Sequence, residues 1–409
     1  MALNMTNFEF ALKELYPPDV LKDMTYKNNP FYAMCEKDEN AGGELIKVPV
    51  IYSNPQGRSA VLSTAITNKG NTGGVAFLLT RVSDYSVASI AREVMLASRG
   101  NAEAFAEAAE TEVDGAINTA VRSIAKALYQ DGHGHQAQIG SLTSANPMVI
   151  TLSDINDITN FETGMTLEAD DTEAGSSLRA TPATAPITAI DRDLGTITVT
   201  YDNSGGATNW AASDYLFQED DTSALLSGLA AWVPSSAPGT TAFFGINRTA
   251  DATRLGGVRV TGTGMGPHEA LLKATNKVAR EGGTPDCAFL NHVQYHELIV
   301  ALGGKVEYVK QGVTANVYFS GITVHGAAGP VEVYPDLNCP SARAYVLTKD
   351  SWCLYSINQA PHIFDLDNDQ EFLRESTADA YEVRIGAYAQ LGCNAPGYNA
   401  VVTLDAATF

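Results

Sequence analysis

The sequence predicts an α+β protein in which a small all-β segment follows a long helix. Three observations support this prediction. Residues 99–130 repeat apolar side chains at the spacing of an amphipathic helix. Residues 146–219 contain short β-type runs bounded by Gly, Pro, Asp or Ser, a pattern typical of a compact barrel. Residues 222–409 alternate between helical and strand-like segments, so the body of the protein combines both.

The bulk composition is that of a folded protein with several structural units. The chain has 409 residues, which corresponds to about two or three domains. Hydrophobic residues make up 45% and charged residues 18%, so a sizeable core is available. The formal net charge is −21, and no Lys- or Arg-rich tail occurs. Nucleic acids and membrane surfaces are both anionic, so this charge argues against specific binding to either.

Cysteine usage and the N-terminus predict a protein made in a reducing cytoplasm. The five cysteines are widely spaced and form no CxxC pair, which argues against a disulfide framework and against a zinc ribbon. The N-terminal residues include Glu9 and lack the basic start of a signal peptide. No uninterrupted apolar run approaches the length of a membrane span.

Two segments ahead of the long helix are expected to need a partner surface. Residues 1–43 are interpreted as an arm, because prolines interrupt any long helix and many apolar residues require a docking surface. Residues 44–90 are interpreted as a long hairpin, with strands at 44–52 and from Val75 to Ser89 and a polar loop between them. A two-stranded hairpin is marginally stable alone, so it must pack on its own chain or on a neighbour.

The long helix is the clearest element of the sequence. Phe105, Ala109 and Val113 are spaced four residues apart, and the apolar face continues toward the C-terminus. Asp131-Gly132 provides a stop signal.

The body beyond the insertion is predicted to contain two helices and a sheet. One helix spans 267–281, with Pro267 in its first turn, and a second spans 291–302, ahead of a Gly-Gly stop. Strands are predicted near residues 321–324, 331–334, 344–347 and 352–356, and a long final strand at 380–391.

One histidine pair has the spacing of a metal site. His292 and His296 are four residues apart on a predicted helix, beside Glu297. The metalloprotease motif needs Glu directly after the first His, where this sequence has Val293, and no third ligand is evident. Ordinary helix-surface histidines are therefore the preferred interpretation.

Three further motifs resemble ligand sites without completing one. His133 and His135 lie in a glycine-rich exit from the long helix. The acidic run at 365–369 opens like a calcium loop, but the sixth position is Gln370 rather than Gly. The segment 262–266 lacks the glycine spacing of a phosphate loop. We therefore predict no catalytic, cofactor-binding or metal-binding residues.

The order of the elements resembles one known family. An arm, a long hairpin, one long helix and a mixed body follow each other as in the major capsid protein of tailed bacteriophages, the Hong Kong-ninety-seven-type fold that encapsulins share. Four stretches carry the resemblance in sequence: residues 29–59, with Asn-Pro-Phe and Ile-Tyr-Ser-Asn-Pro-Gln-Gly-Arg-Ser; residues 228–257, with Gly-Leu-Ala-Ala-Trp-Val-Pro and Phe-Gly-Ile-Asn-Arg; residues 285–291, Pro-Asp-Cys-Ala-Phe-Leu-Asn; and residues 334–386, with Tyr-Pro-Asp, Ala-Tyr-Val-Leu and Arg-Ile-Gly.

The resemblance implies a domain layout that covers nearly the whole chain. It assigns residues 1–43 to the N-terminal arm, 44–90 to the E-loop hairpin, 91–145 to the spine helix and part of the P-domain, 146–219 to a β-rich insertion domain, 220–266 to a P-domain connector, 267–379 to the A-domain and 380–409 to the C-terminal P-domain strand. The insertion is a departure from the minimal family pattern.

The resemblance also implies a structural protein of the virion rather than an enzyme. Copies would assemble through hexamers and pentamers, in the host cytoplasm, into the icosahedral head shell around double-stranded DNA. A separate scaffolding protein is expected, because no long coiled-coil segment stands ahead of the arm. A portal is a further expected partner, and a decoration protein is left open. Some relatives crosslink subunits through a Lys–Asn bond. Lys69 lies where such a lysine would, but no matching Asn is identified and no crosslink is assigned.

Three alternatives are kept open. An encapsulin-like protein nanocompartment shell shares the fold and would differ in having a cargo enzyme. A cytosolic enzyme with a metal at His292 and His296 would hold stoichiometric zinc. An adhesin or tail protein built from β domains would leave the long helix without an explanation.

Overall fold

The computed structural model describes residues 29–93, 102–143, 146–201, 209–302, 322–364, 373–375 and 378–406, with backbone only for residues 102–111. The described helices are α1 (Pro30–Met34), α2 (Leu62–Thr67), α3 (Ala102–Ala127), α4 (Leu229–Trp232), α5 (Pro267–Arg280) and α6 (His292–Leu302). Helices α3, α5 and α6 confirm the three helices predicted from sequence. The predicted arm residues 1–28 and the predicted stop after α6 lie outside the described residues. Within the described ranges, no helix is long and apolar enough to cross a membrane.

The first sheet is built around one long strand. Its members are β1 (Glu36–Asp38), β4 (Val82–Ala91), β16 (Trp352–Ser356), β17 (His362–Ile363), β18 (Leu373–Arg374) and β19 (Ala380–Cys393). Strand β19 pairs antiparallel with β4, β16, β17 and β18, and β1 pairs in parallel with β16. Helix α3 packs on this sheet, because Ala88 of β4, Ala120 of α3 and Ile385 of β19 share one buried cluster.

The hairpin differs from the prediction in its second strand. Strand β2 (Ile46–Ser53) pairs antiparallel with β3 (Gly73–Leu79), whereas the next strand, β4, pairs with β19. The prediction of a single strand over residues 75–89 is therefore wrong, since this segment consists of two strands in different sheets. Apolar residues continue on both sides of the break, so the local sequence pattern does not reveal the change of partner.

The chain changes sheets at Arg81. The guanidinium of Arg81 donates to the carbonyl oxygen of Ala41 at 2.8 Å and to that of Gly43. These bonds tie the start of β4 to the end of the arm, at the base of the hairpin. The hairpin proper therefore ends with β3.

Six strands between α3 and α4 form a closed barrel. Around the barrel their order is β10 (Tyr215–Gln218), β5 (His135–Leu142), β6 (Met148–Leu152), β9 (Thr196–Val199), β8 (Ala185–Asp191) and β7 (Thr166–Asp170). A 3-10 helix at Ile155–Asn160 follows β6. The interior is apolar and includes the buried side chains of Met148, Phe161 and Trp210.

The barrel begins at β5, ahead of residue 146, where the all-β segment was predicted to start. In β5 the apolar side chains that enter the barrel core are Ala137 and Ile139. This alternation is too short to distinguish the strand from the glycine-rich exit of the preceding helix.

The second sheet is mixed and covered by α5. Its order is β11 (Val258–Thr261), β20 (Ala400–Thr403), β15 (Arg343–Leu347), β12 (Cys287–Leu290), β14 (Gly329–Pro335) and β13 (Ile322–Gly326). The β11–β20 and β12–β14 pairs are parallel and the others antiparallel. Helix α5 buries Leu271, Ala274 and Val278 in the core of this sheet. Pairing does not follow chain order, because β16 joins the first sheet although it lies between β15 and β20 in sequence.

One aromatic core joins the arm, the hairpin and both sheets. Phe77 of β3 lies 4.9 Å from Trp232 of α4, and Phe31 of α1 lies 5.3 Å from Phe289 of β12, measured between ring centroids. Trp232 meets Trp352 of β16 edge to face at 6.5 Å. Burial of a large apolar side chain contributes about 1.5–3 kcal/mol. The described part of the arm therefore docks on its own chain.

Candidate assembly surface

The hairpin buries its base and exposes its far end. Val48, Val50 and Phe77 are buried in the aromatic core region, whereas Ile51 is 71% exposed. Side chains alternate along a strand, so Ile51 faces away from the core that holds Val48 and Val50. Beyond this point the hairpin projects apolar side chains into solvent.

Helix α2 adds further apolar side chains at the hairpin tip. Leu62 is 75% exposed, Val61 and Ile66 are more than half exposed, and none of the residues of this fully described helix is buried. Leu62 and Ile66 are four residues apart, so they share one helix face. A helix this short is unstable in water without tertiary contacts. We name Ile51, Val61, Leu62 and Ile66 the hairpin surface. The exposure of four large apolar side chains on one hairpin makes this surface a candidate contact site.

The hairpin is also basic within an acidic chain. Residues 45–79 contain Lys47, Arg58 and Lys69, all exposed, and no Asp or Glu. The whole chain has a formal net charge of −21. A basic projection is electrostatically complementary to acidic surfaces.

In the first sheet, α3 packs on one face of β4, and the opposite face of β4 carries exposed side chains in the described part of the chain. Ala88 of β4 packs toward α3. Tyr85 and Val87 alternate with it on the strand and are 58% and 55% exposed. Large apolar side chains therefore stand on the face opposite α3.

Tyr85 is part of an aromatic groove on this open face. Its ring centroid lies 5.9 Å from that of Phe364, which stacks on Tyr388 at 5.7 Å. The hydroxyl oxygens of Tyr85 and Tyr388 are 3.3 Å apart. We name Tyr85, Val87, Phe364 and Tyr388 the aromatic groove, which encloses about 630 Å³. Clustered aromatic side chains of this kind commonly anchor protein partners.

Lys69 lies immediately beside the hairpin surface. It is exposed, and its backbone packs on Gly57, where an added Cβ would lie 3.0 Å from the Cα of Lys69. The same added Cβ would lie 3.3 Å from the carbonyl oxygen of Ala65 in α2, so Gly57 packs against both Lys69 and α2.

The histidines that sequence analysis singled out lie in separate places. His292 and His296 are exposed on α6. Nδ1 of His133 is 2.8 Å from a carboxylate oxygen of Asp131, and His135 lies in the barrel wall. Among the described residues, no group of three or more His, Cys, Asp or Glu side chains could hold a metal ion.

The remaining motifs also do not form a binding site in the described part of the chain. The amide of Gly264, in the glycine-rich segment before α5, donates to the Asp405 carboxylate at 2.7 Å, so an internal group takes the place of a phosphate. The acidic run at 365–369 lies outside the described residues. The five cysteines, all described, are free. Burial raises the pKa of the Cys35 and Cys393 thiols to about 12, which keeps them unreactive.

Sequence reasoning missed both helix α2 and the aromatic groove. Residues 62–67 are rich in Ser and Thr, which have low helix propensity, and no side-chain cap marks the helix start. The available signal was the presence of Val61, Leu62 and Ile66 in an otherwise polar loop. The groove has no local signal, because Tyr85, Phe364 and Tyr388 come from distant parts of the chain.

No protein-family model matches the chain, and no curated protein is significantly similar to it. Among solved structures, the chain is similar to the cyanophage A-1(L) capsid asymmetric unit, with a TM-score of 0.54 and 12% identity over 96% of this chain and 97% of that chain. It is also similar to the capsid of a native GTA particle, with a TM-score of 0.49 and 7% identity over 97% and 96% of the two chains. A third similar structure is the holo-SrpI encapsulin complex from Synechococcus elongatus, with a TM-score of 0.48 and 10% identity over 100% and 98%.

The likeness to the cyanophage capsid extends over nearly the full length of both chains. It identifies the architecture described above as the phage major capsid fold. The α+β fold class predicted from the order of elements is thereby confirmed.

Proposed function

We propose that this chain is the major capsid protein of a tailed phage, which self-assembles into the icosahedral head shell that encloses double-stranded DNA. The observation that carries the proposal is the full-length likeness to the cyanophage A-1(L) capsid asymmetric unit. The protein acts by assembly in this proposal, and none of its residues is assigned a catalytic role.

The contacts of the shell would use surfaces that a single copy leaves exposed. The hairpin surface projects Leu62, 75% exposed, and the open face of the first sheet presents Tyr85, 58% exposed. Large exposed apolar groups favour association, because covering them removes apolar area from water. The basic charge of the hairpin and the acidic charge of the whole chain favour a second copy as the partner. Hexamers and pentamers of such copies would form the shell.

The domain assignments of the capsid fold are adjusted to the observed elements. We assign the β2–β3 hairpin with α2 to the E-loop, and α3 with the first sheet to the P-domain. The second sheet and α5 would form the A-domain. The closed barrel would be the insertion domain, on a segment that starts at β5.

The net charge of the chain supports a shell that encloses DNA without binding it tightly. At a net charge of −21, the protein repels phosphates rather than releasing counterions from them. The main partners would be further copies, a separate scaffolding protein and a portal. Whether a decoration protein also binds is left open. Assembly would take place in the host cytoplasm.

Shortening the hairpin tests this function directly. We would replace residues 54–72 with an Asn-Gly turn, which keeps the base of β2 and β3 and removes α2. The subunit should fold with unchanged thermal stability, because none of the residues of α2 is buried. It should fail to form particles with a scaffolding protein, as seen by size-exclusion chromatography.

Two outcomes of this experiment would contradict the assembly role of the hairpin tip. Normal particles from the shortened chain would exclude the hairpin from assembly, and an unfolded subunit would place the tip in the core. Closed particles of the native chain that form around a co-purifying enzyme would favour the encapsulin-like alternative.

A further inference from the structure

The barrel is connected to the body by two chain crossings that lie side by side. The first runs from α3 to β5 and the second from β10 to α4. The amide of Ser223 donates to the carbonyl oxygen of His133 at 2.9 Å, and the amide of Gly228 donates to that of Gln130 at 3.0 Å. An added Cβ on Gly134 would lie 2.5 Å from the carbonyl oxygen of Asp221. The crossings therefore form a narrow, closely packed neck.

A polar cavity of about 400 Å³ lies beside this neck. Its walls come from three parts of the molecule: Lys126 at the end of α3, Gln136 and Asp157 from the barrel segment, and the body loop at 337–343. The hydroxyl of Ser341 in that loop donates to the carboxylate of Asp154, which directly links body and barrel. The cavity therefore lies at the interface between barrel and body.

Lys126 and Asp157 both line this cavity, and the charge of each influences the pKa of the other. The ammonium of Lys126 donates to the side-chain oxygen of Gln136 on β5. Burial lowers the pKa of Lys126 from 10.5 to about 7, opposed by the nearby carboxyl groups of Asp157 and Asp221. Burial raises the pKa of Asp157 from 3.8 to about 7, assisted by the charge of Asp154 and opposed by Lys126. Burial therefore disfavours the charged form of each group, the ammonium of Lys126 and the carboxylate of Asp157.

The other charged groups around Lys126 come from every element packed on the neck. Arg122, one turn earlier on α3, donates to Glu162 of the barrel segment at 3.0 Å. Burial raises the pKa of Asp221, on the second crossing, to about 7, with the charge of Asp84 next in effect. Burial lowers the pKa of His135 on β5, opposed by Asp131 and Glu173. Arg343, from the body, lines the same cavity.

We propose that the barrel is held on the body by a protonation-sensitive joint, in which the charge states of Lys126 and Asp157 set how tightly the two parts close. The joint is a property of the subunit and does not depend on the proposed function. Opening the interface would expose both side chains to water, where they regain their ordinary charges.

The direction of the pH effect follows from the two shifts. Because the closed joint favours the protonated form of Asp157, this group stabilises the closed joint fully below pH 3.8, and the stabilisation is lost as pH rises to about 7. Because the closed joint favours the neutral form of Lys126, this group stabilises the closed joint fully above pH 10.5, and the stabilisation is lost as pH falls to about 7. The closed joint is therefore weakest near neutral pH and tightens on both sides. Asp221 acts in the same direction as Asp157, and His135 opposes them on the acidic side.

Hydrogen–deuterium exchange of the full chain between about pH 5 and about pH 9 tests this joint. After correction for intrinsic exchange, the protection factors of the Ser223 and Gly228 amides should be lowest near neutral pH. They should be about tenfold lower there than at about pH 5 or at about pH 9. Amides of β15 in the second sheet provide the internal reference. In a Lys126→Met and Asp157→Asn double variant the rise in protection on the basic side should disappear, and the rise on the acidic side should shrink to the part that Asp221 supplies.

A matched control carries the same substitutions at exposed positions. Lys349→Met with Asp193→Asn lies outside the cavity and should keep the native profile. The proposal fails if the native chain shows no minimum of protection near neutral pH relative to β15, a result that needs no variant to fold. It also fails if the double variant keeps the minimum.

Discussion

At the scale of single residues, Asp336 connects parts of the chain that are far apart in sequence. One carboxylate oxygen accepts hydrogen bonds from the Phe31 amide at 3.3 Å and from the Tyr129 hydroxyl at 2.8 Å. The other accepts from the Asn338 amide at 2.9 Å. Burial raises the pKa of Asp336, and these hydrogen bonds oppose the rise. The arm, the end of the α3 segment and the second sheet therefore meet at one carboxyl group.

Replacing Tyr129 with Phe tests this connection. The variant removes one donor and leaves a buried carboxyl group short of a partner, which costs about 1–3 kcal/mol. We expect a loss of that size in the free energy of unfolding of the subunit, measured by chemical denaturation. Tyr398→Phe, at a side chain 42% exposed, is the control and should change stability little. Equal stabilities of the two variants would contradict the role given to Asp336.

The Asp336 site could not have been predicted from sequence. Its partners Phe31 and Tyr129 are 305 and 207 residues away, and no local pattern relates residues at such separations. A Tyr-Pro-Asp stretch was noted in the sequence, but a buried acid and a surface turn look the same without the fold.

At the scale of elements, helix α2 is expected to contribute to assembly and not to folding. Its apolar side chains contact little of their own chain, since Leu62 is 75% and Ile66 is 56% exposed. Most surface substitutions change stability by less than about 0.5 kcal/mol. Substitutions on α2 should therefore affect association and leave the subunit folded.

Leu62→Asp with Ile66→Asp should abolish particle formation while the thermal unfolding of the subunit stays unchanged. Two carboxylates would have to be buried at the contact, and burying unpaired charge is costly. Sedimentation velocity measures the assembly, with Ser63→Asp on the same helix as the matched control. Assembly of the double variant at native levels would remove α2 from the contact.

Sequence periodicity predicted the elements well where one face is apolar over several turns. Helix α3 spans Ala102–Ala127 within the predicted 99–130, and α5 spans Pro267–Arg280 within the predicted 267–281. Periodicity did not predict the change of partner between β3 and β4, because both strands contain apolar residues and follow each other directly in sequence. Pairing between distant strands, such as β16 with β19, depends on the whole fold.

At the scale of the whole molecule, the structure combines stable units with uncovered surfaces. The aromatic core joins both sheets with the arm and the hairpin base, and the second sheet with α5 and the barrel each bury a further core. The hairpin surface and the aromatic groove lie outside these cores. Together with an acidic chain and a basic hairpin, this arrangement suits a subunit that is completed by copies of itself.

Electron microscopy of the native chain expressed with a scaffolding protein tests the central claim most directly. We expect closed shells of uniform diameter, built of hexamers and pentamers, in which helix α2 of each subunit contacts a neighbouring copy. A chain that stays monomeric under these conditions, or that turns over a substrate as a monomer, would contradict the proposed function.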